Sequence, residues 1–317
     1  MARLPRINQL DASSNGWGFF LCSRKELRTG KTGSNFLAVT LQDASGEIRA
    51  KVFQDVDTIT QEFSAGEFVK AQGRGSVYNQ QLELVVEKIR RVMPDRDAAE
   101  GFREDECIRC APRPLDEMWA ELLARIASVG DANIRELLTR IVSANAERLR
   151  IWPAARAVHH AYRSGLLEHV LTLIEIGSYL AERYGARRDL VVAGAILHDI
   201  GKLEELSYDF AADYTVPGNL LGHITIGAGM VRDAIREIPG FPPTLAIEVE
   251  HLILSHHGAK ELGSPVEPMT VEAFILAAVD DLDAKLQQIR QFIADDGSDG
   301  PFTAYHRRLE RVFFKGT

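Results

Sequence analysis

The sequence predicts a multidomain β + α protein, an N-terminal five-stranded barrel followed by an all-α C-terminal domain. Three observations carry this expectation. Within residues 16–92 apolar and polar residues alternate with the period of two that a half-buried strand needs. From Leu115 to Leu286 apolar residues recur at helical intervals, broken by Gly and Pro. Between these regions Pro94–Pro114 carries charges, three prolines and no periodicity, so it reads as a linker. The predicted organisation is therefore 1–93, a linker over 94–114, and 115–317.

In the barrel, Phe36–Gln42 and Glu47–Phe53 alternate around the turn Asp43-Ala44-Ser45-Gly46. Leu37, Val39, Leu41, Ile48, Ala50 and Val52 then face inward, which leaves Phe36, Arg49, Lys51 and Phe53 together on the outer face. A short helix around Val56–Phe63 precedes strands near Phe68–Val77 and Leu82–Arg91. Five strands with a helix between the third and fourth is the order of an OB-fold, in which the face of strands two and three binds oligonucleotides. The basic loop Arg24–Lys31 lies nearby, and Arg28 and Lys31 in it would add phosphate contacts to the stacking surface of Phe36 and Phe53. The bland alternative is that Phe36 and Phe53 pack against the second domain; Trp17 and Tyr78 read as structural.

The helical half begins with Leu122, Ile126, Leu137, Leu138, Ile141 and Val142 at helical spacing. Its centre is Val191–Lys202, VVAGAILHDIGK, an apolar run ending in the adjacent pair His198 and Asp199. An imidazole beside a carboxylate offers a divalent cation one neutral nitrogen and one anionic oxygen, and is costly to bury without a purpose. Four further segments place metal-ligand residue types on or at the end of apolar runs: His169 in GLLEHVLTL, His223 in LLGHITIG, His256 and His257 in HLILSHHG, and Asp280 in FILAAVDDLDAKL. Five segments doing this together are hard to explain as core histidines. Lys202, three residues after Asp199, stands near the same face, where its ammonium would meet a phosphate oxygen.

Length and composition set the outer bounds. The chain has 317 residues, 45% hydrophobic and 26% charged, an ordinary globular composition with ample material for a buried core. Neither a long uncharged apolar run nor a basic start followed by an apolar segment is visible, so the expected location is the cytoplasm, with no membrane partner. Cys22, Cys107 and Cys110 make no disulfide framework, and Cys107-x-x-Cys110 lacks the second pair of a zinc site. The net charge of −8 is uneven: residues 1–93 hold 13 Lys+Arg against 10 Asp+Glu, the remainder 24 against 35. A mildly basic first domain and an acidic second suit a division between holding a polyanion and binding cations. The same asymmetry leaves room for a homo-oligomer in which unlike domains pair.

The order His169, His198-Asp199, His223, His256-His257, Asp280 resembles the HD superfamily of metal-dependent phosphohydrolases, in its form with additional histidines. The strings GLLEH, HDIGK, LLGHI, SHHG and DDLDAK are similar, more narrowly, to the YhaM-type 3′→5′ exoribonucleases, which join an OB-fold to an HD domain. The resemblance covers residues 15–315. It implies His169, His198, Asp199 and Asp280 on one metal and Asp199, His223, His256 and His257 on a second, with Asp199 bridging. Mn²⁺ is the expected ion, with Fe²⁺ or Co²⁺ as alternatives, and two such cations about 3.5–4 Å apart clamp a phosphoryl group and acidify a water. The function implied is hydrolysis of single-stranded RNA, with DNA as a further substrate, from the 3′ end to nucleoside monophosphates. The rivals are an HD phosphatase or phosphodiesterase of small nucleotides, and a nucleic-acid-binding regulator whose HD domain is structural.

Other polar residues carry weaker expectations. His159 and His160 precede the His169 segment, and His160 is a candidate substrate contact. His251 reads as a satisfied core histidine and His306 as surface; Glu168 points away from its neighbour His169 by about 100°. Asp280 fits the motif better than Asp281 or Asp283. The basic and aromatic tail FTAYHRRLERVFFKG reads as a docking segment for the barrel or another subunit, or as an entry path for RNA.

Overall fold

The computed structural model describes residues 2–30, 33–79, 81–155, 162–208 and 212–316. They form two compact units, one built on residues up to Cys110 and one built on residues from Ala111.

The first unit is a closed barrel. Its strands β1 (Asn15–Thr29), β2 (Asn35–Asp43), β3 (Gly46–Val52), β4 (Phe68–Tyr78) and β5 (Gln81–Arg91) run in the order β1-β2-β3-β5-β4. The β3–β5 contact is parallel and every other pairing antiparallel. The alternation seen in the sequence sets the register: Leu37 pairs with Val52, Val39 with Ala50 and Leu41 with Ile48, and all six are buried. Helix α1 (Val56–Glu62), between β3 and β4, adds Val56 and Ile59 to this core, and Phe63 follows them in.

The segment expected as a linker behaves differently over most of its length. Residues 94–110 belong to the first unit and contain the short helices α2 (Pro94–Asp97) and α3 (Glu104–Cys107). Arg90 grips the fully buried Asp97 through two hydrogen bonds of 2.7 Å, and the backbone N–H of Met93 donates to the same carboxylate at 2.8 Å. The Phe102 ring stands edge-on to Phe19 and Phe68 at 5.3 and 5.4 Å, and Cys107 packs beside Phe19 and Val92. Single anchors of this kind leave no periodic trace, which is why the segment looks unstructured in sequence. Burial pushes the Cys107 thiol up to about 12, which favours the neutral thiol.

The second unit is helical: α4 (Leu115–Ala127), α5 (Ala132–Ala144), α6 (Ala146–Ile151), α7 (Gly165–Tyr184), α8 (Arg188–Leu197), α9 (Lys202–Glu205), α10 (Val216–Arg236), α11 (Pro243–Ser255) and α12 (Val271–Asp295). A small ribbon, β6 (Leu206–Tyr208) with β7 (Ala212–Tyr214), follows α9. Helix α8 is the axis: every residue from Leu190 to Leu197 is buried, as expected for a helix apolar all round. Helices α7, α11 and α12 pack on it. Its C-terminal end is therefore deep inside the unit, and whatever follows Leu197 is buried too. Among the described residues no helix is long and apolar enough to cross a membrane.

The tail folds back as a ribbon after α12. The N–H groups of Thr303, His306 and Lys315 donate to the carbonyls of Phe313, Arg311 and Pro301, each at 2.8 Å. Its anchors lie on its own unit: the His306 ring sits 4.5 Å from that of Phe292 on α12, and Asp296 accepts from Ala304 N–H and Lys315. His306 is thus an anchor rather than free surface.

Candidate metal centre

Five histidines and two aspartates converge on the buried end of α8. His198 is the residue that ends α8, and Asp199 follows in the turn that leads to α9. That turn approaches α10 so closely that only glycine fits at 201: a Cβ there would stand 2.0 Å from the His223 carbonyl oxygen. α10 itself is broken at Gly222, whose φ of 71° and ψ of 155° are left-handed and non-helical. The break lets His223 start a new helical segment and turn its ring inward. His169 comes from the first turns of α7, Asp280 from the middle of α12, and His256 and His257 from the end of α11.

The donor atoms form two groups. His169, His198 and Asp280 place one ligand atom each within 4.8 Å of one another, and His223, His256 and His257 do the same. In the first group His169 Nε2 lies 3.2 Å from Asp280 Oδ1 and 3.3 Å from His198 Nε2. Asp199 stands between the groups and turns one oxygen to each. Its Oδ2 is 3.2 Å from His198 Nε2, and its Oδ1 is 3.4 Å from His223 Nε2 and 3.8 Å from His256 Nε2.

Every one of the five imidazoles presents Nε2 to the centre, because its Nδ1–H is already committed. His198 donates to the Ala195 carbonyl at 3.0 Å, His256 to Ile253 at 2.7 Å and His257 to Leu262 at 2.9 Å. His169 donates to Asp283 Oδ2 at 2.7 Å and His223 to Glu205 Oε1 at 3.1 Å. A carbonyl or carboxylate oxygen only accepts, so the proton sits on Nδ1 and the Nε2 lone pair is the one available to a cation.

The electrostatics favour an anionic Asp199 and a neutral His256. Burial works against charge on Asp199, but Lys202, whose Nζ is 2.6 Å from Oδ2, and the neighbouring His198 hold its carboxyl well below the usual range. Burial, reinforced by His198, keeps His256 well below its usual value and so neutral. Burial also opposes charge on His169, yet its hydrogen bonds to Asp280 and Asp283 raise it to about 9, which puts a proton on Nε2 toward Asp280 as well as on Nδ1; a cation bound there would take the place of the Nε2 proton. Three atoms of the cluster, Asp199 Oδ1, His223 Nε2 and His256 Nε2, are buried with no hydrogen-bond partner. Such atoms are expensive in a folded chain, and a divalent cation among them removes the cost. The donor set of nitrogen and carboxylate oxygen therefore fits the metal centre expected from the sequence.

Two members of the site escaped sequence reasoning. Asp283, discounted beside Asp280, lies one helical turn further along α12 and reaches His169 from behind. Glu205 ends α9, and it accepts from both the backbone N–H and the ring of His223, at 2.9 and 3.1 Å. The signal for Asp283 is its i, i+3 spacing from Asp280; Glu205 carries none without the fold. The discounted residues are occupied elsewhere: Glu168 accepts from the Tyr162 hydroxyl at 2.5 Å, exposed Asp281 pairs with Lys285 at 2.6 Å, and His251 Nε2 accepts from Met269 N–H at 2.9 Å. His159 and the candidate contact His160 lie outside the described residues, as does Lys31.

On the barrel, cross-strand pairing puts Arg28 opposite Phe36, and Lys51 opposite Ala38, on one outer face. The Phe36 and Phe53 rings are 5.7 Å apart and Phe53 is 56% exposed. Arg28 pairs with Glu26 at 2.5 Å, Arg49 donates to Gln81 at 3.1 Å, and Lys51 is 2.7 Å from Glu83. Lys51 also lies 4.5 Å from the ring of Tyr78, which was expected to be structural and is 55% exposed beside this face. Trp17 is half-buried, its ring 5.4 Å from that of Phe19.

The HD domain family matches residues 166–285, and the OB-fold nucleic acid binding domain family matches residues 22–92. The protein named 3′-5′ exoribonuclease YhaM in Bacillus velezensis is 35% identical over 301 residues, which is 94% of each chain. The chain belongs to the YhaM family. The YhaM protein of Bacillus subtilis is 35% identical over 287 residues, 90% of each chain, and that of Listeria innocua 32% over 272 residues, 86% of this chain and 85% of its own. The match to YhaM relatives runs through barrel and helical unit alike, so both the OB-fold and the HD domain are features of the whole alignment.

Proposed function

We infer that the protein is a metal-dependent exoribonuclease that shortens single-stranded RNA from its 3′ end, releasing nucleoside monophosphates, with single-stranded DNA as a second polymer it accepts. The observation that carries the reading is the pair of donor groups sharing Asp199, with three buried atoms otherwise lacking a partner. The family supplies the polymer and the polarity, because the relatives bear the name 3′-5′ exoribonuclease.

In this reading His169, His198, Asp199 and Asp280 hold one divalent cation, and Asp199, His223, His256 and His257 hold another. Mn²⁺ is our choice of ion, which mixed nitrogen and oxygen donors suit. Bound there, the ions supply Lewis acidity toward a phosphoryl oxygen and a water acidified to act near neutral pH. The chain's own residues do the rest. Lys202, held at Asp199, brings a cation to the charge that builds on the phosphate. Buried Leu197, Ile200 and Leu203 around the turn keep bulk water from one side of the centre, which strengthens every charge interaction there. The Phe36–Phe53 pair, with Arg28, Arg49 and Lys51, stacks bases and meets phosphates without reading sequence.

The polarity is tested by comparing a linear 5′-labelled RNA with a circular RNA of the same sequence. Progressive shortening of the linear strand with the circle left intact is the expected result. Cleavage of the circle at internal sites would replace the exonuclease with an endonuclease.

A further inference from the structure

We propose that Asp283 and Glu205 are positioning residues, one for each half of the metal centre, and that together they balance the charge of two divalent cations. The proposal rests on the metal-centre reading above and extends it to residues that hold no ligand position. Three of the five histidines are backed by neutral carbonyls, those of Ala195, Ile253 and Leu262. The remaining two are backed by carboxylates, and they fall one in each group: His169 with Asp283 in the first, His223 with Glu205 in the second. Both carboxylates are buried, which is costly unless their charge is used.

Each carboxylate does two things to its histidine. Accepting the Nδ1–H fixes the tautomer and the ring plane, so that Nε2 is held at the centre. It also makes the ring a stronger donor, because positive charge drawn onto the imidazole by a cation is met by the carboxylate behind it. Glu205 adds a third effect. By accepting from the His223 backbone N–H at 2.9 Å, it pins the start of the helical segment beyond the Gly222 break, where nothing regular would otherwise fix the ring.

The charge count follows. The centre gathers four carboxylates, Asp199, Asp280, Asp283 and Glu205, and one ammonium, Lys202. Four negative charges in so small a buried volume match two divalent cations, with the Lys202 charge left to face an anionic substrate. A single divalent cation would leave the buried site with excess negative charge against an RNA phosphate.

The test is a Mn²⁺ titration followed by the EPR signal of free Mn²⁺, on wild type and on Asp283→Asn and Glu205→Gln, which keep side-chain shape. Thermal unfolding of each protein in EDTA is measured alongside. Wild type is expected to take up two ions, and each variant to weaken one of them by roughly 10–100-fold while keeping the other. The EDTA midpoints should coincide. In a His169→Ala background Asp283→Asn should cost nothing more, and Glu205→Gln should cost nothing more in His223→Ala, since each acts through its histidine. Variants that titrate as wild type, losses that persist undiminished in the histidine backgrounds, or a fall in the EDTA midpoint that accounts for the lost binding would each overturn the proposal. A wild type that takes up no Mn²⁺ would instead overturn the metal-centre reading itself.

Discussion

Gly201→Ala is a one-methyl change that should disable the site without touching a ligand. The ideal Cβ at 201 would stand 2.0 Å from the His223 carbonyl oxygen and 2.6 Å from the Gly227 nitrogen, whereas ordinary contact begins at 3.4 Å. The obstructing atoms are backbone, so no side chain can swing away. The turn carrying His198 and Asp199 must therefore move from α10, which carries His223, by roughly 1 Å or more. Overpacking of this kind costs about 1–3 kcal/mol of stability. A 1 Å misplacement of reacting groups costs on the order of 10²-fold in rate. The initial rate on a labelled single strand at saturating Mn²⁺, with the thermal midpoint measured in parallel, reads both. We expect a rate loss of about 10²-fold in a protein that remains folded at the assay temperature. A folded variant within threefold of wild type would refute the reasoning that the close approach at Gly201 sets the spacing of the two donor groups.

Other predictions follow from single contacts. Lys202→Met should lower turnover by roughly 10²–10³-fold with RNA binding little changed, read by single-turnover rates beside fluorescence anisotropy; equal losses in both would make Lys202 a binding residue only. Phe36→Ala with Phe53→Ala should weaken single-strand binding by about 1–3 kcal/mol per base no longer stacked, while turnover of a small phosphodiester stays constant. Loss of both activities together would assign the pair to folding. Asp97 carries a pH dependence of defined sign. Arg90 holds its carboxyl at about 2 in the folded chain against an ordinary 3.8, so its contribution is complete above about pH 4 and is lost as pH falls toward 2. Nearly two pH units correspond to a stability contribution on the order of 2 kcal/mol. Hydrogen exchange of barrel peptides at pH 6 should show Asp97→Asn opening more readily by that order, with the gap to wild type closing as the pH is lowered; a gap independent of pH would show that the pairing is not ionic.

Much of this molecule is legible in its sequence, and what is not has physical reasons. The barrel strands announce themselves because each buries one face, so that Leu37, Val39 and Leu41 alternate with half-buried neighbours. The candidate ligand residues announce themselves because a histidine or aspartate at the end of an apolar run is anomalous, as at His198 after α8. Glu205 is silent, since it is an ordinary carboxylate on a helix until the fold brings a histidine ring against it, and Asp283 shows only its i, i+3 spacing from Asp280. The fold of residues 94–110 is silent too, because it hangs on one buried ion pair and a few aromatic contacts with no repeat.

The central claim, a metal-dependent exonuclease centred on Asp199, is tested most directly by a time course on a 5′-labelled single-stranded RNA. Wild type with Mn²⁺, wild type with EDTA, and Asp199→Ala with Mn²⁺ are compared side by side. A ladder that shortens from the 3′ end in the first reaction alone is the expected result. Full activity in EDTA or in Asp199→Ala would contradict the metal centre, and an intact strand in all three, with bound Mn²⁺ verified, would contradict RNA as the substrate.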